Sequence, residues 1–283
     1  MFKIKSLVVR DLLLKIAPYF GYIGELLNLQ DKQPIFIIGT GRCGTSLLTE
    51  ILKTHPDITV FPGEKNNLWH PNLYPTEKNK IKSPPIEIDP KAFTQISVNS
   101  WSNNHSKTIK RMFNGFHLMT GKRKVFIVKS AMISFMMPKI MTIYPNAKFI
   151  HLYRYAPSVI ESYFKKNFGI YANYKYTKEE YYIACAKYWN DCILNIEQDK
   201  NTLSLTEKGA YFEFSYENLC EDPESLLQVL STYLDLKYDK FDYDLSTIKT
   251  TNYKVKDTSK DKKLSELINH EIYPAMKLKG YIS

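Results

Sequence analysis

A chain of 283 residues with 44% hydrophobic content is long enough for one substantial α/β domain carrying insertions and demands no second domain. Its net charge of +10, from 39 Lys and Arg against 29 Asp and Glu, favours anionic ligands or surfaces. Most of it reads as solvated lysine, and no nucleic-acid partner is expected from it. Four cysteines, at 43, 185, 192 and 220, have no C-x-x-C spacing; they exclude a dense disulfide scaffold and point to a reducing, cytoplasmic compartment.

The first element, 6-SLVVRDLLLKIAPYFGYIGELLNL-29, is strongly apolar. Arg10, Asp11, Lys15 and Glu25 interrupt it too often for a spanning helix, and no small-residue cleavage site follows. Residues 1–33 therefore read as a packing or amphipathic helical segment. Lys3, Lys5 and Arg10 beside its apolar residues also suit peripheral contact with a membrane.

After Pro34, the run Ile35 to Ile38 has the continuous apolar character of a parallel strand buried on both faces. It enters the turn Gly39-Thr40-Gly41-Arg42-Cys43-Gly44-Thr45-Ser46, and a helix follows with Leu47, Leu48, Ile51 and Leu52 at helical spacing. Glycines let backbone N–H groups approach an anion, while the new helix aims its unpaired donors and positive dipole end at the same point. This builds a phosphate cradle. Against the nucleotide pattern G-x-x-x-x-G-K-[ST], Gly39, Gly44 and Ser46 fit, but Thr45 replaces the lysine. The later strand 147-AKFIHLYR-154 ends in Arg154, not in the acid that would hold magnesium.

The stretch from about 63 to 120 contains Pro71, Pro75, Pro84, Pro85 and Pro90 and only weak periodicity, so it reads as an irregular insertion on the substrate side of the sheet. Alternation then resumes. The strand 124–129 precedes a helix around 132–144, the strand 148–154 precedes a helix around 156–166, and a long helix covers 177–196. A strand over 210–217 leads to a helix over 222–234, with Asp222 as its cap and Pro223 in its first turn. The pattern predicts a central parallel sheet flanked by helices, with ligands at the carboxyl ends of its strands. Those ends carry Arg42, then Lys129 with Ser130, then Arg154, then Tyr216 with Glu217.

Taken together, these residues resemble the sulfotransferases that use 3′-phosphoadenosine 5′-phosphosulfate (PAPS). Arg42-Cys43-Gly44-Thr45-Ser46 is similar to that family's 5′-phosphosulfate loop. Arg154 with Ser162 eight positions later is similar to its 3′-phosphate element, and 216-YENLCEDPE-224 to a third block whose Tyr216 contributes to the nucleotide site. The tail 264–281 resembles the terminal helix of bacterial and carbohydrate-type members.

The resemblance implies a P-loop-like sulfotransferase fold over residues 1–283, in-line sulfonate transfer without a metal, and release of adenosine 3′,5′-bisphosphate. It implies that Arg42 covers the leaving group, Lys129 stabilises the transferring sulfonate, and Lys256 joins the 3′-phosphate site. Phenol and steroid sulfotransferases place a histidine two residues after the equivalent lysine, whereas this chain reads Lys129-Ser130-Ala131. Carbohydrate and tyrosylprotein members use a glutamate after the first helix, and 55-HPDITVFPGEKNNLWHP-71 places Glu64 there, with His70 a weaker candidate base and His55 at the helix end. The expected acceptor is a hydroxyl on a carbohydrate or glycolipid; peptide tyrosine, a lipid alcohol and small metabolites stay open, as does the oligomeric state. Two rival readings are a P-loop phosphotransferase using ATP and magnesium, disfavoured by Thr45, and a non-catalytic anion- or glycan-binding module. The tyrosines of 171-YANYKYTKEEYY-182 suit either packing or stacking on an acceptor, and 254-KVKDTSKDKK-263 reads as a solvated loop.

Overall fold

The computed structural model describes residues 7–29, 31–64, 66–69, 86, 102–171, 176–248 and 262–283. Its centre is a five-stranded parallel sheet of β1 (Ile35–Ile38), β2 (Ile58–Val60), β3 (Val125–Lys129), β4 (Lys148–Tyr153) and β5 (Tyr211–Ser215), in the order β2-β3-β1-β4-β5. β1 is buried at every position because both of its faces are covered. Phe36 and Ile38 pack into one core with Phe126, Val128 and Phe149. Ile35 and Ile37 pack into a second with Val125, Ile127, Ile150 and Leu152.

The helices are α1 (Leu7–Leu26), α2 (Thr45–Leu52), α3 (Asn66–Trp69), α4 (Asn103–Met119), α5 (Met137–Ile143), α6 (Ala156–Tyr171), α7 (Lys178–Thr202), α8 (Tyr216–Glu221), α9 (Pro223–Leu234) and α10 (Lys262–Leu278). α2, α8 and α9 cover one sheet face, α1, α4 and α5 the other, and α6, α7 and α10 form a third apolar cluster. The chain leaves β1 for the β2 edge, whereas the connections from β3 and β4 run toward β5. The loops after β1 and β4 therefore diverge and open a crevice at the carboxyl end of the sheet. Register completes the placement by pairing Ile37 with Lys129 and Ile38 with His151, so the residues that follow β1, β3 and β4 emerge side by side.

Local chemistry explains the element ends. Thr177 and Glu180 form a reciprocal capping box at the start of α7, and the Asp222 carboxylate accepts from the Ser225 N–H at the start of α9.

Three sequence expectations are corrected and one strand is added. The stretch 63–120 is not wholly irregular, since α4 occupies its last third, with Ile109, Phe113 and Phe116 buried. Its polar outer face diluted the periodicity, and Gly115 is a contact, because a Cβ there would lie 1.7 Å from the Ala17 carbonyl oxygen of α1. The helix expected over 132–144 divides into a 3-10 turn (Ala131–Phe135) and α5, because Pro138 restarts the helix at its first turn. Tyr216 and Glu217 do not extend β5: Ser215 caps a new helix, and Tyr216 is its first residue. β2 is a strand of three residues, too short for alternation to reveal.

Candidate active site

The loop after β1 is held from outside before any ligand is considered. The buried Ser134 hydroxyl accepts from the Gly39 N–H at 2.9 Å and donates to the Gly39 carbonyl at 3.0 Å. From α7, the Tyr188 hydroxyl accepts the Gly41 N–H at 3.3 Å, and Asn195 donates to the Ser134 carbonyl at 3.1 Å. Cys43 points inward, fully buried, and donates to the Thr40 carbonyl at 2.7 Å. Burial pushes its thiol up to about 12, so the side chain is an inert packing group and only its backbone faces the cradle.

Gly44 precedes α2 with φ 103°, in the left-handed region, and no side chain caps the helix. The N–H groups of the first turn of α2, with the Thr45 and Ser46 side chains beside them, are therefore left for an anion. The Thr40 hydroxyl is buried in the same turn without a hydrogen-bond partner among the described residues. A Cβ on Gly44 would sit 2.2 Å from the Tyr216 ring, so that ring lies directly against the backbone of the turn. These features fit a phosphate-bearing ligand.

Charged side chains converge on this point from three strand ends. The Arg42 Nε donates to the Ser162 hydroxyl of α6 at 2.9 Å. The Arg154 guanidinium lies 4.5 Å from the centre of the Tyr216 ring, and its carbonyl accepts the Trp189 indole N–H at 3.0 Å. Lys129 donates to the Ser46 hydroxyl at 3.4 Å and pairs with the Glu64 carboxylate at 2.9 Å. Lys129 is only 16% exposed, whereas Glu64 is 37% exposed, so the pair sits at the mouth of the crevice with its carboxylate outward.

Every candidate residue from Arg42 to Ser46, with Glu64, Lys129, Arg154, Ser162 and Tyr216, is thus tied to this one turn or its neighbours. Arg154 and Ser162 reach it by separate routes, one through Tyr216 and the other through Arg42. Lys256 and His70 lie outside the described residues. His55 is buried behind the site with its Nε2 3.0 Å from the Lys237 carbonyl oxygen. In the tyrosine-rich stretch, Tyr181 is buried and the Tyr182 hydroxyl donates to Glu161 at 2.7 Å while its ring stacks on Phe164, which is packing.

Two contributors, Ser134 and Trp69, were not anticipated, and a third, Glu217, was expected without its partners. Ser134 had no sequence cue. The buried Trp69 indole donates to the Glu64 carbonyl at 3.1 Å and so anchors the loop that carries the carboxylate. Glu217 accepts from the Tyr155 N–H at 3.1 Å and from the Tyr281 hydroxyl at 2.8 Å, fastening the end of β4 to the C-terminal segment. The Tyr-Glu pair of the motif was legible, but its partner in the tail was not. Among the described residues no helix is long and apolar enough to cross a membrane, and no cluster of His, Cys, Asp or Glu could hold a metal ion.

Comparison with known proteins follows the same lines. The sequence profile of the sulfotransferase family matches residues 34–240. A Caenorhabditis briggsae protein described as a protein-tyrosine sulfotransferase is 27% identical over 215 residues, which is 73% of this chain and 67% of that protein. Among solved structures, a sulfotransferase from Alicyclobacillus acidocaldarius superposes with a TM-score of 0.56 at 17% identity, over 87% of this chain and 93% of its own. One from Mycobacterium avium superposes at 0.61 with 10% identity, over 92% and 80% of the two chains. Both share the fold.

Proposed function

The chain belongs to the sulfotransferase family and is an enzyme of sulfonate transfer to a hydroxyl-bearing acceptor; within that reaction we propose that the donor is PAPS and that residues 1–283 act as one domain. When bound, PAPS supplies an activated sulfonate. The N–H groups of Gly44, Thr45 and Ser46, with the two hydroxyls, hold its 5′-phosphate, and Arg42 offsets charge on the leaving group. Arg154, Ser162 and Tyr216 bind the 3′-phosphoadenosine end, with Lys256 added to that set. Lys129 stabilises negative charge at the transferring group, and Glu64 takes the proton of the acceptor hydroxyl.

The observation that carries this reading is the convergence of Arg42, Lys129 and the uncapped start of α2 on one turn, with a carboxylate 2.9 Å from the lysine. The family's nucleotide chemistry without a divalent ion fits a loop in which Thr45 replaces the phosphate-binding lysine. The test is calorimetric titration with adenosine 3′,5′-bisphosphate, 5′-AMP and Mg·ATP on the wild type and on Arg154→Ala. Metal-independent preference for the bisphosphate, weakened in the variant, supports the reading; preference for Mg·ATP overturns it.

The acceptor expected from the residues is a carbohydrate or glycolipid hydroxyl. Similarity to a protein described as a protein-tyrosine sulfotransferase favours a second candidate, a peptide tyrosine. Parallel assays of sulfonate transfer to oligosaccharides and to tyrosine peptides separate the two.

A further inference from the structure

α10 ends in a turn that its own sequence builds. Gly280 takes the left-handed conformation, with φ 73°, just past Lys279. The Tyr281 N–H then bonds back to the Met276 carbonyl at 3.0 Å and the Gly280 N–H to the Lys277 carbonyl at 3.1 Å, which satisfies carbonyls that a helix end leaves open. The residues on either side of Gly280 both engage β4 and β5. The Lys279 ammonium, with its side chain only 4% exposed, pairs with Glu213 of β5 at 2.7 Å and lies 5.1 Å from the centre of the Tyr153 ring of β4. The Tyr281 ring stands edge-on to Tyr153 and Tyr155, and its hydroxyl donates to Glu217 at 2.8 Å.

Glu217 sits where two segments of the candidate site meet. Its other carboxylate oxygen accepts the Tyr155 N–H at 3.1 Å. That N–H belongs to the same peptide unit as the Arg154 carbonyl, which accepts the Trp189 indole N–H at 3.0 Å. The peptide after Arg154 is thus held at both polar ends, and because a peptide is planar this fixes the backbone from which the Arg154 side chain leaves. Glu217 itself follows Tyr216, whose ring lies 4.5 Å from the Arg154 guanidinium. One carboxylate therefore ties the backbone beside Arg154 to the backbone beside Tyr216, through hydrogen bonds strengthened by its charge.

On the reading that Arg154 and Tyr216 bind the 3′-phosphoadenosine end of the donor, we propose that Glu217 and Tyr281 are positioning residues of that site. The Tyr281 hydroxyl holds the Glu217 carboxylate, and the carboxylate holds Arg154 and Tyr216 at the spacing the nucleotide meets. The segment after α10 thereby sets donor affinity without touching the donor. Its route runs from Tyr281 through Glu217 to the Tyr155 N–H and does not pass through Lys129 or Glu64, so donor binding is affected and turnover is not.

The test is calorimetric titration of the full chain with adenosine 3′,5′-bisphosphate, beside steady-state kinetics with varied donor, for the wild type, Tyr281→Phe, Glu217→Ala and the double variant. Tyr281→Phe keeps the ring against Tyr153 and Tyr155 and removes only the hydroxyl, so it decides alone should Glu217→Ala fail to fold. The expected result is a rise of about three- to tenfold in both the bisphosphate Kd and the donor KM for Tyr281→Phe, a larger rise for Glu217→Ala, and kcat within about twofold of wild type. The double variant should bind no more weakly than Glu217→Ala, because the hydroxyl acts through the carboxylate. Wild-type affinity in Tyr281→Phe overturns the proposal, as do additive losses in the double variant. A fall in kcat at unchanged KM, which marks only a smaller folded fraction, overturns it too. A wild type that does not bind the bisphosphate overturns the donor reading itself, and the assignment of these two residues with it.

Discussion

The Glu64 carboxylate and the Lys129 ammonium form an ion pair of 2.9 Å at the carboxyl end of β3, and the same ammonium reaches the Ser46 hydroxyl at the start of α2. One cation thus bridges the group proposed to take the acceptor proton and the helix turn proposed to hold the phosphate. Removing either partner should affect turnover more than donor binding. Glu64→Gln is expected to lower kcat by about 10²–10⁴ while changing the donor KM little. Arg154→Ala, which removes the guanidinium over the Tyr216 ring, should raise the donor KM and leave kcat closer to wild type. Steady-state kinetics with varied donor distinguishes them, and equal effects of both variants on both parameters would sink the division of roles.

Gly44 leaves no room for a side chain. With φ at 103° and the Tyr216 ring 2.2 Å from where a Cβ would stand, Gly44→Ala must either displace that ring or reshape the turn. The expected outcome is loss of nucleotide binding by calorimetry with overpacking that costs about 1–3 kcal/mol of stability. A Gly44→Ala variant that binds adenosine 3′,5′-bisphosphate as the wild type does would show that the cradle lies elsewhere.

Ser134 tests how far the loop depends on its support. Its hydroxyl satisfies both backbone groups of Gly39 from a fully buried position, so Ser134→Ala leaves both without that partner. Urea denaturation should show a loss of about 1–3 kcal/mol. The donor KM should rise together with it, since Gly39 begins the turn. Unchanged stability and unchanged KM would remove Ser134 from the site's support.

Asp199 in α7 makes stability depend on pH in an unusual direction. Burial raises its carboxyl to about 6, only partly opposed by the hydrogen bond from Asn195. The unfolded carboxyl titrates near about 4, so the folded state holds this proton more tightly, and the stability it contributes is present at about pH 4 and lost as pH rises through about 6. Asp199→Asn should therefore raise stability at pH 8 by about 1–2 kcal/mol, after allowance for solvent around the partly exposed group. Thermal melts at pH 8 and pH 4 check this: the gain should vanish at the lower pH, and a gain of equal size at both would refute the titration.

Much of the architecture was legible because its causes are local. The apolar run Ile35 to Ile38, the glycines at 39, 41 and 44 and the helical spacing after Ser46 identified the strand, turn and helix without tertiary information. Asp222-Pro223 marked its helix start in the same way. α4 was hidden because its apolar stripe is narrow and its Gly115 serves a neighbour distant in sequence, the backbone of α1. The split between the 3-10 turn and α5 was missed because a continuous apolar run outweighed Pro138.

By itself, then, the amino-acid sequence determined the parallel α/β class, the glycine-rich turn between β1 and α2 and the family resemblance, since turn chemistry, capping and periodicity act between residues a few positions apart. Only the tertiary structure decided that Glu64 meets Lys129, that Ser162 engages Arg42, that Tyr216 closes over Gly44 and that Glu217 is held by Tyr281. Those contacts depend on the strand order β2-β3-β1-β4-β5 and its register, which bring distant segments to one end of the sheet. Which face of α1 is covered was settled there too, because its apolar residues lie both on the buried face, as Leu14 and Ala17 do, and on the exposed one, as Leu12 and Leu26 do, and so carry no local mark of the side its neighbour will take.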